Sequence, residues 1–234
     1  MAYNKRLNYT NHLMKRLNLI IILLLTLCTI FLPSKAQEMQ PMEFGVKGGL
    51  NISNLYTNEA SIPDVIFGFN AGVYLKVPVT KIIAIQPEFY ASTKGATIRY
   101  NSTLLDGTAR FDLTYLELPV FCVIKVSDKV NLQIGPYISC LVDGKVTNMV
   151  NINFFDYQKN IDVSKYNRID AGLILGTSVV VHSVTVGMRY NYGFVTVGKE
   201  QTFSGISYII PNATNGVISF YLSIPVFSDS KSKL

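Results

Sequence analysis

A small set of charged residues lies within segments that are otherwise apolar or built from small polar residues, and these residues could do chemistry. They are Lys47, Lys76, Glu88, Glu117, Asp170 and Arg189. A charge removed from water is stable only when an opposite charge pairs with it. We therefore predict a structural ion-pair network that fills the interior of a narrow barrel. A proton or ion path through the same residues is the alternative.

Catalysis of the Ser-His-Asp type would require a histidine, and the sequence has only His12 and His182. His12 belongs to the predicted leader described below, so His182 would have to serve. It falls beside Ser183 in a predicted short turn, where turn chemistry explains both residues. No Cys-x-x-Cys spacing marks a metal site. We therefore predict no catalytic residue, no metal and no cofactor.

The first 36 residues read as a secretory leader. Lys15 and Arg16 precede an apolar run at 17–32, and Pro33-Ser34-Lys35-Ala36 forms a small-residue cleavage site. We predict a signal peptide that is cut after Ala36; a start at Met14 would keep every part of it. A membrane-spanning helix is the alternative, although the apolar run is near the minimum length for one.

The basic character of the chain comes mostly from this leader. The sequence has 21 basic and 15 acidic residues, and the leader holds five of the basic ones and no acidic one. The remaining chain therefore has 16 basic against 15 acidic residues. This near balance excludes a nucleic-acid partner.

After the leader, the sequence alternates apolar and polar residues in eight segments of about ten residues, as strands of a membrane barrel do. The predicted strands are 43–54, 67–77, 83–95, 109–125, 130–142, 167–181, 184–196 and 215–227. Short connections at 78–82, 126–129 and 182–183 alternate with longer ones at 56–66, 97–108, 145–166 and 197–214. Short turns on one side and long loops on the other are typical of an up-and-down barrel in an outer membrane.

The polar face of each segment decides which side meets lipid. In the fourth segment Leu116, Leu118 and Val120 oppose Tyr115 and Glu117. Across the segments the polar face is mostly Gly, Ser, Asn, Gln and Tyr, and charged residues are only 15% of the chain, whereas a soluble surface carries more. We therefore predict that the apolar face contacts lipid. The fold is an eight-stranded antiparallel up-and-down transmembrane β-barrel over 37–227, with a short polar tail at 228–234.

Two further features concern cysteines and a loop. Cys122 and Cys140 fall on the apolar face of neighbouring strands but out of register, so we expect free thiols. The stretch "NINFFDYQKN" offers Phe154, Phe155 and Tyr157 as contacts for a protein or glycan partner outside the cell. The alternative, which we favour, is a loop that packs on its own barrel rim or extends a hairpin.

The stretches "EFGVKGGLNISNL", "IAIQPEFYASTKGA" and "YLELPVFCVIK" resemble the outer-membrane β-barrel family abundant in Bacteroidetes, often labelled PorT-like or porin-family. The resemblance covers residues 43 to 227 and implies an eight-stranded outer-membrane barrel, generally of unassigned function. One departure is Phe227. Many such barrels end on a lipid-facing aromatic, but strict alternation places Phe227 opposite Ile224 and Val226.

The predicted function is a structural or interaction role through extracellular loops, without catalysis. Membrane lipid is the expected contact. The first alternative is a component of a protein-secretion machine, as the PorT-like label implies. The second is a soluble periplasmic barrel whose interior binds an apolar ligand.

Overall fold

The computed structural model describes residues 41–56, 64–102, 105–150, 157–160, 166–197 and 213–228. These residues form nine strands: β1 Glu43–Tyr56, β2 Ile66–Pro78, β3 Ile83–Ser102, β4 Leu105–Lys125, β5 Val130–Val150, β6 Tyr157–Asn160, β7 Ile169–Val181, β8 Val184–Thr196 and β9 Thr214–Ser228. Within this described part, no helix is long and apolar enough to cross a membrane.

Eight of the strands close into an antiparallel barrel. Strand β1 pairs with both β2 and β9, and the pairing of β4 with β5 completes the ring. The short β6 pairs with β5 at 145–148, beyond the point where β5 leaves β7. Closure gives each of the eight strands in the ring two neighbours, which a membrane requires because lipid cannot satisfy backbone groups. The predicted fold class is confirmed.

The short connections lie where the sequence predicted them, at 79–82, 126–129 and 182–183. His182 adopts a positive φ of 57°, as a tight two-residue turn requires. The predicted loops at 97–108 and 145–166 are wrong in part, because β3, β4 and β5 continue as strands to Ser102, Leu105 and Val150. These three strands pair with one another beyond the ends predicted from the alternation of apolar and polar residues.

The apolar face of the barrel points outward. On β9, Ile218, Phe220, Leu222 and Ile224 are 39–54% exposed, whereas Val217, Ser219, Tyr221 and Ser223 are buried inside. A soluble barrel would show the reverse arrangement. The alternative of a soluble barrel with an apolar interior is therefore wrong.

A β-bulge changes the expected position of Phe227. Phe44 pairs with Phe227, but the next residue, Gly45, pairs with Pro225, so Val226 is an extra residue in β9. Phe44 and Phe227 are both exposed on the outside. The expectation that Phe227 departs from the lipid-facing side is wrong, since one bulged residue reverses the alternation after it.

A second bulge marks a reversal of polarity. Tyr115 pairs with Leu141 and Thr114 with Asp143, so Val142 is the extra residue. Below it β4 presents Leu116 and Leu118 outward; above it the outward positions carry Arg110 and Asp112, which form an ion pair at 3.0 Å. We take the bulge as the boundary between lipid and water on this side of the barrel.

Above the same boundary the interior becomes apolar. Buried residues from four strands, with three residues next to the ends of other strands, form one cluster, which we name the apolar cap: Leu55, Ala96, Leu113, Tyr115, Leu141, Tyr166, Val197 and Ala213. Leu113, Tyr115 and Leu141 are at most 1% exposed. The mouth on the long-loop side is thus closed by packed side chains.

Candidate functional site: the charged barrel interior

Three charged side chains meet in the half of the lumen nearer the short turns, and we name them the lower charge layer. They are Lys47 on β1, Glu88 on β3 and Arg189 on β8. Arg189 donates from Nη1 and Nη2 to the two oxygens of Glu88 at 2.7 and 2.8 Å. Lys47 Nζ donates to Glu88 Oε2 at 2.8 Å. The two-pronged Arg–carboxylate contact is the stronger kind of ion pair.

Amides and aromatic rings complete this layer. Gln86 donates to Glu88 Oε1 at 2.7 Å, and Arg189 Nε donates to Gln133 Oε1 at 2.7 Å. The Arg189 guanidinium lies 3.9 Å from the centre of the Phe121 ring. Such stacking suits a weakly hydrated guanidinium out of water. The layer holds two cations and one carboxylate, all buried.

A second group, the upper charge layer, lies closer to the apolar cap. Lys94 Nζ sits 3.1 Å from Glu117 Oε1 and 3.2 Å from Asp170 Oδ2. Tyr137 OH and Asn215 Nδ2 also donate to Asp170 Oδ2, at 3.1 and 2.9 Å. This layer holds one cation and two carboxylates, so the two layers balance each other in formal charge.

Strand register brings these residues together. Glu117 pairs with Tyr90 on β3 and with Ser139 on β5, and Ser139 pairs with Asp170 on β7. Directly paired residues point to the same side of a sheet, so these four residues form a row on the inner face of the barrel wall. Residues far apart in sequence thus form one layer.

Five of the six predicted site residues therefore divide between the two layers. The structure brings together Lys47, Glu88 and Arg189, and it places Glu117 with Asp170. Lys94 was missed although it lies within the predicted third strand, 83–95; its parity with Glu88 on the same strand was the available signal. Whether these layers act only as a plug stays a proposal.

Lys76 joins neither layer. It lies near the end of β2 and lines a small polar recess at the short-turn end of the barrel, together with Glu43, Asn131 and Ser178. Tyr74, which also lines the recess, donates a hydrogen bond to Glu43. The recess is partly open, and it reaches Gln86 and Gln133 beside the lower charge layer.

Other candidate residues lie apart from the lumen. His182 is exposed in the turn between β7 and β8. Cys122 and Cys140 are free thiols on β4 and β5, paired in register with Ile134 and Leu116. Phe154 and Phe155 lie outside the described residues. Tyr157 begins β6, whose pairing with β5 extends the hairpin.

In the described part of the chain, no three His, Cys, Asp or Glu side chains are grouped so that they could hold a metal ion. The charged groups of the lumen contact one another instead. Each cation of the two layers has a carboxylate partner within 3.2 Å. The arrangement can therefore bind strands to each other across the lumen.

Comparison with known proteins gives a family and several solved structures. A family model described as outer membrane protein beta-barrel domain matches residues 35–197. Ail, the attachment invasion locus protein of Yersinia pestis, is 13% identical over 80% of this chain and 99% of its own, with a TM-score of 0.44. Neisserial surface protein A is 16% identical over 77% and 96%, with a TM-score of 0.40. The N-terminal β-barrel domain of Pseudomonas aeruginosa OprF is 9% identical over 80% and 99%, with a TM-score of 0.36. A comparison with curated proteins found no match.

Proposed function

The chain belongs to the outer membrane protein beta-barrel domain family, and on that premise we propose that it is a sealed, non-enzymatic barrel that carries an interaction surface outside the cell. The protein lies in the outer membrane, as predicted, and its outward apolar face contacts lipid. The observation that carries the proposal is the filling of the lumen.

A solute that crosses the barrel would have to pass three successive barriers. These are the lower charge layer, the upper charge layer and the apolar cap. Buried ion pairs are costly to break, since each separated charge loses its only compensation. An eight-stranded barrel has an interior that side chains can fill completely, which fits a closed lumen.

The part that remains available for function is the extension beyond the cap. Strands β3 and β4 pair as far as Ser102 and Leu105, and β5 continues to Val150 alongside β4 and β6. Arg110, Asp112 and Lys145 give this region a charged outer face in the described part of the chain. We propose a protein or glycan partner there, with Phe154, Phe155 and Tyr157 as candidate contacts.

Conductance across a planar bilayer tests the sealed lumen. We expect no discrete current steps from the purified wild-type barrel, because paired charges and the apolar cap block the path. Glu117→Gln is the matched variant for an ion path, and its trace should equal that of the wild type. Regular steps in the wild type that change in Glu117→Gln would contradict the plug and support the path.

Binding of intact cells to a glycan array and to extracellular matrix proteins tests the surface role. Cells that display the wild-type barrel should bind a partner that cells displaying the triple alanine variant of Phe154, Phe155 and Tyr157 do not. The control is Val126→Ala in a turn on the opposite side of the barrel. Equal binding by all three strains would remove these residues from the proposal.

The PorT-like resemblance favours a second candidate, a component of a protein-secretion machine in a Bacteroidetes host. The "QPE" and "YLELP" stretches carry that resemblance. Deleting the gene and comparing the secreted proteins tests it; an unchanged set would rule it out.

We also propose export through a signal peptide cut after Ala36, which N-terminal sequencing of the membrane-inserted protein would check.

A further inference from the structure

Three prolines interrupt the backbone pairing of the barrel wall in three consecutive strand pairs. Between β2 and β3, pairing stops after Tyr74↔Glu88 and resumes at Val77↔Ile85, and Pro87 lies in this gap. The register is the same on both sides of the gap. The interruption is therefore a loss of pairing and not a bulge.

The next two strand pairs repeat the pattern. Between β3 and β4 the gap lies between Pro87↔Val120 and Tyr90↔Glu117, and it contains Pro119. Between β4 and β5 the gap lies between Pro119↔Tyr137 and Cys122↔Ile134, and it contains Pro136. We name the gap residues on both sides the proline seam: 75–76, 86–89, 118–121 and 135–136.

The rest of the wall makes the seam unusual. The β1–β2 ladder runs without a break from Glu43↔Lys76 to Ser53↔Ile66, and the β7–β8 ladder runs from Gly172↔Gly193 to Val181↔Val184. Proline has no N–H to donate and is ordinarily confined to sheet edges. In a membrane-embedded wall each missing backbone bond is costly. The β8–β9 ladder is also interrupted, between Tyr192 and Thr196 near the long-loop end, but with a shift of register. The seam is thus a row of missing backbone pairs that crosses three neighbouring strand pairs without a shift of register.

Side-chain contacts inside the barrel offset the lost strand pairing. Glu88 directly follows Pro87 and binds Arg189 on β8, on the far side of the barrel, and Lys47 on β1. Phe121, inside the β4–β5 gap, packs its ring against the Arg189 guanidinium. Side chains from two of the three gaps are therefore held from within by Arg189.

We propose that the proline seam is a built-in opening point of the barrel wall, which Arg189 keeps closed. Strands β3, β4 and β5 separate there locally while the remaining ladders stay intact. Local opening of weakly bonded segments ahead of global unfolding is a general property of folded proteins. Opening at this place would expose the lower charge layer to the membrane side of the wall.

Amide hydrogen exchange of the full barrel in lipid nanodiscs tests the proposal. We expect amides at 86–89 and 118–121 to exchange at least about tenfold faster than amides at 46–50 on β1 and 218–222 on β9, which lie in unbroken parts of the ladder. Equal exchange in all four stretches would overturn the proposal, whatever the variants do.

Two variants test the role of the prolines and the role of Arg189 separately. Pro87→Val together with Pro136→Val restores two N–H groups at outward positions where valine suits lipid, and it should slow exchange in the seam toward that of β1. Arg189→Met should speed exchange in the seam more than in β1 and β9, and exposed Lys145→Met serves as its matched control. An increase in Arg189→Met that is no larger in the seam than in β1 and β9 would contradict the role of Arg189. If Arg189→Met does not fold, the valine variant still decides: unchanged seam exchange in it would contradict the role of the prolines.

Discussion

Arg189→Met is expected to lower the free energy of unfolding by about 3–5 kcal/mol, the cost of leaving one member of a buried ion pair without its partner. Methionine keeps much of the side-chain length, so the loss is mainly electrostatic. Glu88 would retain Lys47 as its only cation, together with the hydrogen bond from Gln86, and the Phe121 ring would lose its guanidinium contact. Urea unfolding in lipid vesicles, followed by loss of the folded gel band, measures the change.

The matched control is Arg110→Met. Arg110 pairs with Asp112 at 3.0 Å but both side chains are exposed, at 46% and 37%. Exposed pairs contribute only about 0–1 kcal/mol, so this variant should be close to the wild type. The triple variant Lys47→Met, Glu88→Gln and Arg189→Met should be more stable than the sum of the three single losses predicts, because it leaves no unpaired charge in the lower charge layer. Equal stability of Arg189→Met and Arg110→Met would show that the lower charge layer does not hold the barrel together.

Leu222→Arg is expected to destabilise the barrel by about 2–4 kcal/mol, because a charge on the lipid-facing side near the bilayer midplane is costly. Leu222 is the middle residue of the outward row of β9 and is 54% exposed. In a soluble protein, arginine at a half-exposed position changes stability little. The free energy of unfolding in vesicles distinguishes the two environments.

Val126→Arg is the control for this second variant. Val126 is 60% exposed, which is similar to Leu222, but it lies in the turn between β4 and β5. It should tolerate arginine, since a turn outside the membrane meets water. Similar small effects at both positions would mean that the outward face of the barrel does not contact lipid.

Much of the fold follows from local sequence. The strand period of two sets which side chains share a face, and the scarcity of charge on the polar face indicates that this face is inside. Turn positions such as 126–129 also follow, because Ser, Asp and Lys interrupt the alternation there. These features depend on neighbouring residues only, and the sequence alone predicts them.

The two bulges and the extension depend on pairing between distant strands. A single extra residue, Val226 or Val142, is invisible to alternation until the partner strand is in place. The same holds for the site: Glu88 and Arg189 are 101 residues apart, and only closure of the barrel brings them into contact. Lys94 lies within the predicted third strand, but its contacts with Glu117 and Asp170 likewise need partners from other strands.

The two stretches "QPE" and "YLELP" acquire a physical meaning from the structure. Each places a proline in the wall close to a carboxylate in the lumen: Pro87 beside Glu88, and Pro119 two residues after Glu117. The proline weakens the strand pairing, while the carboxylate forms an ion pair with a cation inside the barrel. In each stretch, the residue that weakens the strand pairing therefore lies close to a residue that holds the strand from inside the barrel.

The most direct test of a closed barrel with an apolar exterior is heat-modifiable gel migration. The chain from residue 37 to 234 is refolded in detergent and run on a denaturing gel with and without boiling. The account predicts that the unboiled sample migrates at a different position and that boiling abolishes the difference, because closed ladders resist the detergent until heated. Identical migration of both samples, together with solubility of the protein in plain buffer, would contradict it.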